Sequence, residues 1–133
     1  MNTDYRAYLS PLGRFLLVAI FLQSGAGKLA DPSGTIAFIG STGAPLPAVG
    51  YALSVAIELG VSALFLLGYY TRTAAAILAL FCVATALLFH NNFADQNQMV
   101  NFMKNLAMAG GFLQVVALGA GSFSLDARLS SRK

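Results

Sequence analysis

Three ionisable side chains, Lys28, Glu58 and Lys104, sit within stretches that are otherwise apolar. A charge in such a setting is costly and marks a pair, a cavity or a function. Helical spacing gathers more polar groups around each of them. Ser24 and Lys28 share one face, with Gln23 and Gly27 beside it. Ser54, Glu58 and Ser62 share a second, and Asn101, Lys104 and Asn105 a third. His90 closes another apolar run, and Asn91, Asn92, Asp95 and Asn97 follow it. Lysine, asparagine and histidine are hydrogen-bond donors suited to carbonyl oxygens, and a carboxylate can pass protons. Lys28, Glu58, His90, Asn101, Lys104 and Asn105 are therefore the candidate ligand-binding residues. The competing reading is structural, with Glu58 paired to Lys104 or Lys28 and the amides and hydroxyls tying helices together. Such interhelical bonds contribute only about 0.6 kcal/mol on average, and helix packing does not require so many polar groups at one depth.

Other chemistries find little support. Gly25-Ala26-Gly27-Lys28 resembles a phosphate-binding loop but lacks the earlier glycine and the hydroxyl after the lysine. One histidine rules out a haem held by two. Cys82 is the single cysteine, so no intramolecular disulfide forms, and His90 with Cys82 falls short of the four donors of a closed zinc site. No metal site, and no nucleophile–base pair for hydrolysis, is expected. The basic residues are scattered singly, without the stripe that nucleic acid needs.

The elements that must position these residues follow from composition. Hydrophobic residues make up 57% of the 133 and charged residues 10%, with a mean hydropathy of +0.70. A soluble domain carries about 25% charged residues, so lipid must be the main solvent of this chain. A helix crossing the bilayer core needs about 20 mostly apolar residues. Four segments approach that length, at about 12–29, 47–70, 73–89 and 99–119. The expected fold is all-α, a single domain over 1–133 forming an antiparallel bundle of four transmembrane helices. Asp31 caps a short helix with Pro32 at its first position, and Ile36, Phe38 and Ile39 let that helix lie on the membrane surface between spans one and two. The Gly/Pro cluster from Gly40 to Pro47 is a turn. Tyr70-Thr71-Arg72 is so short a connection that its flanking helices must be antiparallel.

Basic residues orient the spans. Arg6, Arg14, Arg72, Arg128, Arg132 and Lys133 share one side, and the other has only Lys28 and Lys104. Both termini are thus expected in the cytoplasm, which turns the polar cluster toward the outer half of a bacterial inner membrane. Arg14, the apolar run Phe15 to Leu22 and the small residues Ser24 to Gly27 also fit a signal peptide; three further apolar segments make an uncleaved first span the preferred reading.

These residues resemble the DoxX family of small bacterial membrane proteins over about Leu9 to Asp126. The specific points are Gly13-Arg14, Gly27-Lys28, Gly43-Ala44-Pro45-Leu46-Pro47, Glu58-Leu59, Gly68-Tyr69-Tyr70-Thr71-Arg72, Phe89-His90-Asn91 and the run from Asp95 through Asn105. The resemblance implies a four-helix membrane bundle and an association with oxidoreductases, since the family takes its name from a subunit associated with thiosulfate:quinone oxidoreductase. Three functions are consistent with the residues. In the first, the chain is a quinone-linked redox subunit that encodes no electron carrier and draws electrons from a soluble partner protein. In the second it is a non-catalytic anchor or assembly partner for a soluble redox enzyme. In the third it is a homo-oligomeric proton-coupled transporter with Glu58 as the exchange site.

Overall fold

Where each helix starts and stops is decided by a few residues. The first helix, α1 (Arg6–Ala30), ends where Asp31 leaves helical geometry. The Asp31 carboxylate then accepts a 2.9 Å hydrogen bond from the Gly34 N–H, capping α2 (Pro32–Ser41) with Pro32 in its first turn. Gly43 and Leu46, both at positive φ, turn the chain into α3 (Pro47–Leu67). Gly68, at φ +71°, ends α3 with its own N–H on the Phe65 carbonyl and that of Tyr69 on the Leu64 carbonyl. The next helices are α4 (Thr71–Phe89) and α5 (Gln96–Leu118), the latter capped by Asp95 through the Asn97 N–H. A last short helix, α6 (Leu125–Ser130), is capped by Ser124. The computed structural model describes residues 5–131, apart from the Arg6 side chain; Arg132 and Lys133, two of the residues used to orient the chain, lie outside the described residues.

Among the described residues the structure is entirely helical, as expected. Three helices are long and apolar enough to cross a membrane: Ala7–Ala30, Pro47–Leu67 and Thr71–Phe89. The fourth long helix, α5, has the length, with 23 residues, but Gln96, Asn97, Gln98, Asn101, Lys104 and Asn105 crowd its first half. The short helix expected to be capped by Asp31 and to start at Pro32 does so, and runs on to Ser41, two residues into the cluster expected as a turn.

The core follows from size matching. α4 buries the small residues Ala74, Ala75, Ala79, Cys82 and Ala86, so α5 can approach it closely. Phe112 of α5 is completely buried between two other rings, Phe65 at 5.2 Å edge-to-face and Phe21 at 5.7 Å. Outward-facing positions are as apolar as the core, with Leu53, Leu80, Leu88 and Leu113 exposed. An exterior of that kind suits lipid.

At the end that gathers the start of α1, the α3–α4 turn and α6, one carboxylate joins distant segments. Asp126 accepts from the N–H groups of Tyr70 and Thr71, each at 2.9 Å, and from the Thr71 hydroxyl at 2.6 Å. It thereby caps α4 from 55 residues away. Partial burial pushes the Asp126 carboxyl up, but the Thr71 hydroxyl, the two N–H groups and the Arg14 charge outweigh it and hold it below its ordinary value. Arg14 is buried and donates to the Phe123 carbonyl. Arg72 donates to the last carbonyls of α5, where the helix dipole favours a cation. Arg14, Arg72 and Asp126 thus mark one end of the bundle, and Lys28, His90 and Lys104 the other.

Candidate functional site

Glu58 owes its position to an irregularity in α3. Residues Ala56–Val61 form a π-helical turn within the α-helix, a deviation that re-aims side chains and recurs at functional sites. Across from it, α1 presents Gly25, where an added Cβ would lie 2.7 Å from the Leu59 side chain and 3.2 Å from Glu58 Cβ. The missing side chain lets the two helices meet closely. One turn further along α1, Lys28 reaches Glu58, its Nζ 2.9 Å from each carboxylate oxygen. Ser24 completes the group, donating to Glu58 at 3.2 Å and accepting from Lys28 at 2.8 Å. Glu58 side-chain exposure is 7% and that of Lys28 is 22%, so the pair is shielded and its attraction is stronger than at a surface.

Beside this pair is a pocket of about 140 Å³ lined from all four long helices. α1 supplies Ile20, Phe21 and Ser24, and α3 supplies Glu58. Phe81 and Thr85 come from α4, which His90 caps, and Lys104, Asn105 and Met108 come from α5. His90 Nδ1 lies 2.9 Å from Gln98 Oε1. Lys104 donates to Asn101 Oδ1 at 2.8 Å, and Asn105 Nδ2 to the Asn101 carbonyl at 2.9 Å.

Of the six residues singled out from sequence, Glu58, His90, Lys104 and Asn105 line the pocket directly. Lys28 stands behind Glu58, and Asn101 behind Lys104 and Asn105. The partner of Glu58 is Lys28; Lys104 forms no salt bridge among the described residues. Sequence reading missed Thr85 and Gln98. Gln98 had a usable signal, since it precedes Asn101 by three residues and Asn105 by seven, on the same helical face. Thr85 had none.

A larger cavity of about 660 Å³ opens at the opposite end, around Tyr69, Thr71, Arg72, Ser124 and Asp126. Its charged groups are already engaged, Asp126 by the start of α4 and Arg72 by the end of α5. Lys104, by contrast, faces the smaller pocket with no carboxylate partner among the described residues. The smaller pocket is therefore the better candidate.

The sequence pattern of the DoxX family matches residues 10–91, a stretch that contains Lys28, Glu58 and His90 but stops before α5. Two similar proteins cover nearly the whole chain. Inner membrane protein YqjF of Escherichia coli (strain K12) is 38% identical over 124 residues, 92% of each chain. Inner membrane protein YphA of the same organism is 33% identical over 128 residues, 92% of this chain and 91% of its own. No solved structure matches significantly. A family match across more than half the chain, relatives of the same length and apolar helices facing outward lead to one assignment: the chain is an integral inner-membrane protein belonging to the DoxX family.

Proposed function

We infer that the chain is a four-span bundle whose outer-half pocket holds the head group of a quinone, as a subunit of a quinone-linked redox complex. The observation that carries this reading is the convergence of Ser24, Glu58, His90, Lys104 and Asn105 on one pocket from all four long helices. Its volume is close to the roughly 150 Å³ at which a protein cavity accepts a benzene-sized ring, leaving an isoprenoid tail to the lipid. Lys104 has hydrogen-bond donors to spare for a ring carbonyl, and Glu58, held by Lys28, is a proton-exchanging group beside it. α5 serves as the fourth span because its polar first half faces the pocket, where Asn105 is buried. No residue supplies electrons, so a soluble redox protein is the partner that would deliver them.

Mass spectrometry of lipids extracted from the purified protein tests the reading. A quinone should copurify in near-stoichiometric amount, and Lys104→Met should lose most of it while the bundle stays folded. A soluble redox protein copurifying without any quinone would favour the anchor role instead.

The same reading places both termini in the cytoplasm. Arg14, Arg72 and Arg128 lie toward one end of the bundle, with Lys28 and Lys104 toward the other. An activity reporter fused after the carboxyl terminus should report the cytoplasm and one inserted at Asp95 the periplasm; the reverse pattern would reject the orientation.

A further inference from the structure

The cavity of about 660 Å³ at the α6 end of the bundle has no part in the reading above. Its lining includes Arg72, whose guanidinium is engaged through one nitrogen only. Nη1 donates to the Val116 and Ala117 carbonyls, which uses both of its hydrogens and fastens the side chain to the end of α5. The three hydrogens on Nε and Nη2 have no acceptor among the described residues. That edge faces Gly119, where an added Cβ would lie 3.4 Å from Nη2 and 3.6 Å from Nε. With no side chain there, the edge is left uncovered toward the cavity that both residues line. The Nε–Nη2 edge is the fork that grips two oxygens of a phosphate, and here it is fixed in place beforehand. Thr73, in the first turn of α4, brings an exposed hydroxyl to the same cavity. Asp126 is the one carboxylate in the lining, and three donors hold it to the start of α4. Among the described side chains, Arg14, Arg72 and Arg128 outweigh it at this end of the bundle.

We propose that this cavity binds the phosphodiester of an anionic phospholipid, with the Nε–Nη2 edge of Arg72 gripping its two non-bridging oxygens and the Thr73 hydroxyl donating beside them. The surroundings favour a lipid over a soluble anion. Tyr69 and Tyr70 line the cavity with their rings 4.6 Å apart, and tyrosine is enriched at the level of the head groups. Leu129 in the lining and Leu118 beside Gly119 are exposed, an apolar flank for acyl chains that a phosphate ion would not use. The lipid belongs to the leaflet at this end, the cytoplasmic one in the orientation proposed above. The site is separate from the smaller pocket and stands whether or not a quinone binds there.

The test is native mass spectrometry of the full chain in detergent, titrated with phosphatidylglycerol, with phosphatidylcholine and with inorganic phosphate alone. Phosphatidylglycerol should bind roughly fivefold more tightly than phosphatidylcholine, the effect of one charge. Arg72→Gln should weaken its binding about tenfold or more, as loss of a charge-assisted pair does. Arg72→Lys keeps the charge but not the fork, and should recover only part of that loss. Arg128→Gln removes an equal charge outside the cavity and should leave affinity within about twofold. Because Arg72 also ties down the end of α5, Thr73→Val provides a variant free of that role; it should weaken binding about threefold at an unchanged unfolding midpoint. Equal affinity for the two lipids, a loss in Arg128→Gln as large as that in Arg72→Gln, or wild-type binding in both Arg72→Lys and Thr73→Val would overturn the inference. Inorganic phosphate that binds alone and displaces the lipid would assign the cavity to a soluble anion and overturn it as well.

Discussion

Lys28→Met is expected to destabilise the bundle by about 3–5 kcal/mol, the usual cost of stripping one partner from a buried ion pair. Lys28 contacts both oxygens of Glu58 at 2.9 Å, and among the described residues the carboxylate has only Ser24 besides. Without the ammonium, Glu58 must either hold an uncompensated charge in a shielded site or take up a proton. Adding Glu58→Gln removes the charge as well, and replacing both members of such a pair is often close to neutral. The double variant should therefore recover most of the lost stability, measured as the midpoint of detergent-induced unfolding. If Lys28→Met unfolds at the wild-type midpoint, the pair does not form in the membrane.

Gly68→Ala should have the second large effect, on the order of 3 kcal/mol, through two separate causes. Gly68 has φ +71°, where any other residue is strained by about 1–3 kcal/mol. Its Cβ would also meet Arg14 Nη1 and lie 2.5 Å from Ser124 Cβ, with the Ser124 backbone at 3.0 Å. Backbone cannot move aside as a flexible side-chain tip can, so the clasp between α3 and α6 would have to open. Gly43→Ala separates the causes. It has a similar φ of +80° but nothing within 4 Å of the added carbon. The Gly43 variant should lose only the strain component; equal losses at the two positions would show that the close packing at Gly68 carries no weight.

Much of the fold is written locally. The Asp31-Pro32 pair announces α2 because capping geometry and a missing N–H act within one turn. The helical spacing of Asn101, Lys104 and Asn105 marks the inner face of α5, because a face repeats every 3.6 residues whatever the surroundings. Other features depend on contacts between distant segments. The π-helical turn at Ala56–Val61 carries no signature of its own and sits where Leu59 packs on Gly25. The choice of Lys28 over Lys104 as the partner of Glu58 follows from that same close approach of α1. The cap on Thr71 comes from Asp126, which lies in a polar tail with too few apolar residues to announce a helix. In the site, charged residues in apolar runs stood out by composition, whereas Thr85 did not, because a lone hydroxyl in a span is unremarkable until its neighbours are in place.

The central claim is that the polar cluster holds a ligand and is not merely internal glue. The most direct measurement is the quinone content, by mass spectrometry, of the purified Lys104→Met variant compared with wild type. Lys104 forms no salt bridge among the described residues, so both proteins should unfold at similar midpoints and any difference in bound quinone reports the site and not the fold. The account predicts a folded variant that has lost most of its quinone. A variant that folds normally and keeps its quinone in wild-type amount would show the polar cluster to be structural and contradict the account.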